Sequence, residues 1–146
     1  MDIPLLLSAL ENEKNEYLLD MTFDKIFEQK IKILMDISLT KKEIDILLTK
    51  LHEYYYVDDI LKLKGGHFLR WIYLGGDLLE SESFTLNKGG YFCSFNVKEN
   101  YTYIQCKTHF GKYFQIKMDE CLVFQKLTNS EKILLNSMHQ LITHTA

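Results

Sequence analysis

Proline is almost missing from this chain, with Pro4 the single one among 146 residues, and no Ser-rich, Gln-rich or Pro-rich run takes its place. That composition leaves nothing to serve as a linker between independent domains. No uninterrupted apolar run approaches the roughly 20 residues that cross a bilayer. The opening Met1-Asp2-Ile3-Pro4-Leu5-Leu6-Leu7 carries an acid where a secretory leader needs a basic start. The expectation is one single domain spanning 1–146, soluble, intracellular and without a membrane partner. There is no Cys-x-x-Cys pair, and the three cysteines, Cys93, Cys106 and Cys121, stand well apart, as suits free thiols in a reducing compartment.

Signatures of chemistry are missing as well. Neither G-x-x-x-x-G-K-[ST] nor G-x-G-x-x-G occurs, so no phosphate-cradling loop is expected. His52, His67, His109, His139 and His144 are scattered, with no serine or acid at a spacing that suggests a triad. Cys106 and His109 have a C-x2-H spacing, but a structural zinc site draws two ligands from each of two tight knuckles and here there is at most one. The three thiols are read as small buried hydrophobes. No catalytic residue, metal or cofactor is assigned, and the chain is expected not to be an enzyme.

What is present is a recurring glycine signal. Lys64-Gly65-Gly66-His67-Phe68 and Lys88-Gly89-Gly90-Tyr91-Phe92 are echoed by Gly111-Lys112-Tyr113-Phe114, each a turn residue followed at once by bulky strand formers. Apolar residues make up 47% of the chain, enough for a single core. Charge is segregated. Residues 1–59 hold 7 Lys and Arg against 13 Asp and Glu, residues 60–117 hold 8 against 4, and residues 118–146 hold 2 against 3. An acidic front thus precedes a basic middle, which points either to an interaction surface or to mutual attraction of the two sections.

Periodicity divides the chain into a helical, acidic part (1–59), an antiparallel, basic β part (60–127) and a C-terminal helix (128–146). A first helix is expected over about 3–19 and a second from Thr22, with Phe23, Ile26, Phe27, Lys30, Ile31, Leu34 and Ile37 on one stripe. Thr40-Lys41-Lys42-Glu43 is a capping box. It opens a third helix whose stripe of Ile44, Leu47, Leu48 and Leu51 continues to Tyr54 and Tyr55, read as core. Strands are expected at His67–Leu74, within Leu78–Leu86, and at Tyr91–Val97, Tyr101–Lys107, Tyr113–Met118 and Cys121–Lys126. In the third of these Tyr91, Cys93, Phe95 and Val97 share one side. A second capping box, Thr128-Asn129-Ser130-Glu131, opens the last helix. The fold class is α+β: N-terminal helices and one C-terminal helix packed on a strongly curved antiparallel sheet or a small partly open β-barrel, SH3-like or OB-like.

One pattern stands out within the strands. Tyr103-Ile104-Gln105-Cys106-Lys107 and Tyr113-Phe114-Gln115-Ile116-Lys117 both read Tyr-x-Gln-x-Lys. Pairing Lys107 with Tyr113 sets Gln105 opposite Gln115 and Tyr103 opposite Lys117, a cation beside a ring at both ends. Tyr101, Tyr103, Lys107, Tyr113 and Lys117 are therefore the candidate binding residues. The leading expectation is a non-enzymatic protein-interaction or scaffold module that binds a protein partner or itself. The alternative is weak nucleic-acid binding on this basic, aromatic face, against which stand the acidic whole chain and the absence of an arginine cluster.

The segments Gly65-Gly66-His67-Phe68-Leu69-Arg70-Trp71, Lys88-Gly89-Gly90-Tyr91-Phe92 and Cys121-Leu122-Val123-Phe124-Gln125-Lys126-Leu127-Thr128 resemble uncharacterised proteins of nucleocytoplasmic large DNA viruses. Those often carry a Lys-Gly-Gly-plus-aromatic strand and an Ile-Phe-x-Lys strand near the end. The resemblance covers roughly residues 60–135. It implies a viral product in the cytoplasm of an infected host cell or in a viral factory, and brings no activity or binding residues with it.

Overall fold

The computed structural model describes residues 22–74 and 85–144, with side chains described as far as residue 137. The helix expected over 3–19 lies outside them. The described chain is α+β, with three α-helices and a six-stranded antiparallel sheet, and it divides into two compact units. No helix among the described residues is long and apolar enough to cross a membrane.

Among the described residues, the helical unit comprises 22–48 and 127–144. Helix α1 runs Phe23–Met35, and the Thr22 hydroxyl accepts the Lys25 amide at 3.1 Å to cap it. Ser38 in the left-handed region (φ 60°) closes its exit. Ile26, Lys30 and Leu34, spaced by one turn each, are buried. Helix α2, Lys41–Lys50, starts at the expected capping box, with the Glu43 amide on the Thr40 hydroxyl (3.2 Å) and the Thr40 amide on the Glu43 carboxylate (3.3 Å). Helix α3, Asn129–His144, is opened the same way by Thr128 and Glu131, at 2.9 and 3.2 Å. α1 and α3 are in contact within this unit.

The second unit, Thr49–Lys126, holds the sheet. Its strands are β1 (Tyr54–Tyr56), β2 (Phe68–Tyr73), β3 (Gly90–Lys98), β4 (Tyr101–Lys107), β5 (Tyr113–Lys117) and β6 (Cys121–Lys126), ordered β1-β6-β2-β3-β4-β5. The sheet is open, with β1 and β5 at its two ends. Here the sequence reading of Tyr54 and Tyr55 as a helical stripe is corrected. α2 stops at Lys50, and Tyr54, Tyr55 and Tyr56 pair with Lys126, Gln125 and Phe124 of β6. Three consecutive aromatics favour extended backbone, and their partners lie some 70 residues away, beyond the reach of any local period. The tyrosines are core as expected, but in a strand.

Two hairpins fix the β3–β4–β5 meander. Glu99 (φ 56°) and Asn100 (φ 70°) form a two-residue loop with both central residues left-handed, whose twist matches that of the flanking strands. Between β4 and β5 the Gly111 amide donates to the Thr108 carbonyl (3.0 Å) and the Thr108 amide to the Lys112 carbonyl (2.8 Å), with Gly111 at φ +81°. This is a three-residue loop closed by a left-handed glycine.

β3 carries a bulge at Cys93, so Phe92 pairs with Cys106 and Ser94 with Gln105. The extra residue reverses the alternation. Tyr91 shares a side with Lys107, whereas Phe95 and Val97 share the other with Ile104 and Thr102, correcting the reading that put Tyr91, Phe95 and Val97 together. Of the strand expected within Leu78–Leu86, Thr85 and Leu86 are described, and Leu86 makes an antiparallel bridge to Ile72.

Burial differs across the sheet. At β2 and β6 residues on both sides are buried, Leu69 and Ile72 in one strand and Val123 and Phe124 in the other. Across β3, β4 and β5 the sides are unequal. Ile104 and Cys106 are fully buried on one, and the Tyr-Gln-Lys ladder occupies the other.

Candidate interaction surface

Antiparallel pairing of β4 with β5 aligns Tyr103 with Lys117, Gln105 with Gln115, and Lys107 with Tyr113, the register that the repeated pattern predicts. Side chains alternate between sides along a strand, so Tyr101, Tyr103, Gln105 and Lys107 join Tyr113, Gln115 and Lys117 on one surface. Tyr91, Ser94, Asn96 and Lys98 of β3 extend it, being opposite Lys107, Gln105, Tyr103 and Tyr101. From Tyr101 to Lys107 it measures roughly 20 Å.

The five candidate residues are thus brought together, with one change of partner. Lys117 Nζ lies 3.5 Å from the centre of the Tyr101 ring, one pair diagonally removed from Tyr103, its directly opposed neighbour. At the other end Lys107 Nζ is 5.5 Å from the Tyr113 ring. Both contacts fall within cation–π range. Tyr101 and Tyr113 are 45% and 63% exposed, so their rings are presented to solvent, while Tyr103 and Lys117 are half-buried.

Lys117 also pairs with Glu120 at 3.4 Å. Partial desolvation opposes its charge, but the hydrogen bond and charge of Glu120, with the phenols of Tyr103 and Tyr101 behind, raise its pKa overall. The same carboxylate raises the Tyr73 phenol. Lys117 therefore stays protonated and is held in place, whereas Lys107 is exposed and freer to follow a ligand.

A second cluster is one that the sequence pattern does not announce. The Tyr91 hydroxyl is 3.2 Å from His109 Nδ1, and the rings of Phe68, Tyr91 and His109 meet pairwise at 5.1 to 5.6 Å. It borders the Lys107 end of the surface, and at the tip of the adjoining turn Phe110 is 94% exposed. The signal was the Lys-Gly-Gly-Tyr-Phe motif itself, but without the bulge Tyr91 is assigned to the wrong side. Cys106 and His109 do not converge. The thiol is buried beside Ile104, its pKa pushed up to about 12 by desolvation, while the imidazole meets the Tyr91 ring edge to face. Among the described residues no three His, Cys, Asp or Glu side chains are placed to share a metal ion.

An acidic depression of about 570 Å³ is bounded by Asp58, Asp59 and Asp119 with Lys62. Its carboxylates are already engaged. Asp58 meets Lys62 at 2.6 Å, Asp59 accepts the Leu61 amide at 2.9 Å, and Asp119 accepts the Thr102 amide at 2.9 Å. They shape turns, which leaves the ladder surface as the candidate. No protein family, curated protein or solved structure matches the chain.

Proposed function

We propose that the chain is a non-enzymatic protein-interaction module, and that it engages its partner through the outer side of β3, β4 and β5. One observation carries this reading: Tyr101, Tyr103, Lys107, Tyr113 and Lys117 share one surface, with two rings presented to solvent and a lysine set against each. Exposed tyrosines supply contact area at small entropic cost, and a lysine already held by a carboxylate loses little freedom on binding. On the same reading the chain is a viral product acting in the host cytoplasm or a viral factory, as the resemblance at residues 65–71, 88–92 and 121–128 implies.

A photo-crosslinking residue at position 103 tests the proposal in cells that express the chain. It should yield a discrete adduct with a polypeptide that the same probe at exposed Asn136 does not. Identical patterns at both positions, or no protein adduct at 101, 103 and 113, would refute it.

The stacked lysines favour one second reading, a single-stranded nucleic acid whose bases lie on the rings and whose phosphates meet Lys107 and Lys117. Fluorescence anisotropy of a labelled oligothymidine decides it. Saturable binding at low salt that falls steeply as salt rises, and that Lys107→Glu with Lys117→Glu abolishes, establishes that reading; absence of binding at low ionic strength removes it.

A further inference from the structure

Two strands of this sheet carry the same five-residue pattern, and they pair with each other. Tyr103-Ile104-Gln105-Cys106-Lys107 and Tyr113-Phe114-Gln115-Ile116-Lys117 run antiparallel, amide against amide at the centre and tyrosine against lysine at both ends. A Tyr-x-Gln-x-Lys strand is therefore complementary to an antiparallel copy of its own pattern. β4 satisfies one side of β5. The other side is the edge of the sheet and has no strand on it among the described residues.

The hairpin determines which backbone groups face that edge. Thr108 and Lys112 form a hydrogen-bonded pair at its mouth, the Thr108 amide donating to the Lys112 carbonyl at 2.8 Å. Hydrogen-bonded and non-bonded pairs alternate along an antiparallel ladder. Cys106–Phe114 and Ile104–Ile116 are then the inward pairs, and the N–H and C=O groups of Tyr113 and Gln115 point outward with the N–H of Lys117, whose carbonyl opens the 3-10 turn Met118–Glu120.

Building on the interaction-module reading, we propose that the β5 edge binds the β5 edge of a second copy of this chain, antiparallel about a two-fold axis at Gln115. Gln115 then meets Gln115 of the second copy, Tyr113 meets Lys117, and Phe114 meets Ile116 between them. The outward groups of Tyr113, Gln115 and Lys117 all fall in hydrogen-bonded pairs, giving about four main-chain bonds across the axis. Phe114 already packs on Trp71, ring centres 5.3 Å apart, so the new apolar pair continues an existing layer. Beyond each end of the paired strands, exposed Lys112 of one copy approaches the Asp119-Glu120 turn of the other, opposite charges repeated by symmetry. An edge lysine ordinarily repels a neighbouring strand. In this register it faces a tyrosine, so the self-pair escapes like-charge opposition, and a two-fold contact closes on itself rather than propagating.

Sedimentation equilibrium of the full chain across about 1 to 200 μM tests the pairing. The expected result is a shift from 17.3 kDa to twice that mass. Gln115→Lys and Gln115→Glu each place like charges on the axis and should weaken association about fivefold or more, while their equimolar mixture restores it. Gln115 is exposed and faces Gln105 inside each copy, so both variants should keep the wild-type circular dichroism spectrum and melting temperature. Gln115→Pro removes only an outward amide, which an edge strand tolerates, and should leave a folded monomer. A chain that stays monomeric throughout, or a dimer indifferent to the Lys and Glu variants and their mixture, overturns the pairing. Either result leaves the crosslinking test at position 103 standing, since that test reads the ladder surface rather than the strand edge.

Discussion

Gln125 and Tyr55 face each other across the β1–β6 pair, and the buried Gln125 amide donates to the Tyr55 hydroxyl. The same side chain donates to the Lys62 carbonyl at 3.0 Å and accepts the Lys64 amide at 3.0 Å. One glutamine, 0% exposed, thus ties the first strand to the loop between β1 and β2 through three hydrogen bonds.

Gln125→Leu should accordingly be severe. Apolar burial is retained, but three hydrogen bonds to a carbonyl, an amide and a hydroxyl are lost at about 1 kcal/mol each, so denaturant unfolding should show a loss of about 3 kcal/mol. Tyr55→Phe should cost about 1 kcal/mol. In the double variant the two losses should fall short of adding, the mark of a shared bond.

Gly89 and Gly65 have different tolerances. At Gly89, φ is +104°, and a Cβ would press on the Leu69 carbonyl and the Phe68 ring. Gly65 has open space around it and ordinary backbone angles. Gly89→Ala should lower stability by about 3 kcal/mol, from strain and collision together, and Gly65→Ala should leave the melting temperature within a degree or two of wild type, about 0.5 kcal/mol. Equal effects would contradict this placement of the turn.

Lys30 lies in the buried stripe of α1, 4% exposed, and desolvation lowers its pKa from an ordinary 10.5 to about 8. Between pH 8 and 10.5 the unfolded chain holds the Lys30 proton and the folded one has shed it, so this group makes stability rise with pH across that window. Below pH 8 both states are charged and folding bears the whole burial cost, up to about 3 kcal/mol. Lys30→Met should therefore melt above wild type at pH 7 and lose that advantage by pH 10.5. Cys106 and Cys121, whose thiols burial pushes up to about 12 and about 11, act in the opposite sense above pH 9, so the comparison of variant with wild type is the informative quantity.

The cysteines should also be distinguishable by reactivity. Cys93 is exposed, Cys121 half-buried and Cys106 buried. Because the thiolate is the reacting form, a maleimide at neutral pH should modify Cys93 first, Cys121 later and Cys106 only as the sheet unfolds. Mass spectrometry of the peptides reads the order directly.

What could be read in advance was whatever a few neighbouring residues decide. Thr22, Thr40 and Thr128 cap helices because each hydroxyl reaches an amide three residues on. The β4–β5 register was legible because Gly111 and a short loop leave two strands one easy way to pair, and with it came all five residues of the candidate surface. β1 was not legible, since nothing near Tyr54 announces a partner in the last strand. The Cys93 bulge was hidden too, as no turn residue marks it, and with it the ring cluster of Phe68, Tyr91 and His109. The exchange of Tyr103 for Tyr101 beside Lys117 follows from a diagonal reach that direct pairing does not describe.

The bond between Tyr55 and Gln125 joins residues 70 apart in sequence. At ribosomal speeds of about 5 to 20 residues per second, β1 emerges roughly 4 to 14 s before the strand it must pair with has been made. Throughout that interval three consecutive tyrosines wait without their hydrogen-bonded neighbour, and completion of the sheet becomes a late event in synthesis, when the nascent chain most needs shelter from other unfinished chains.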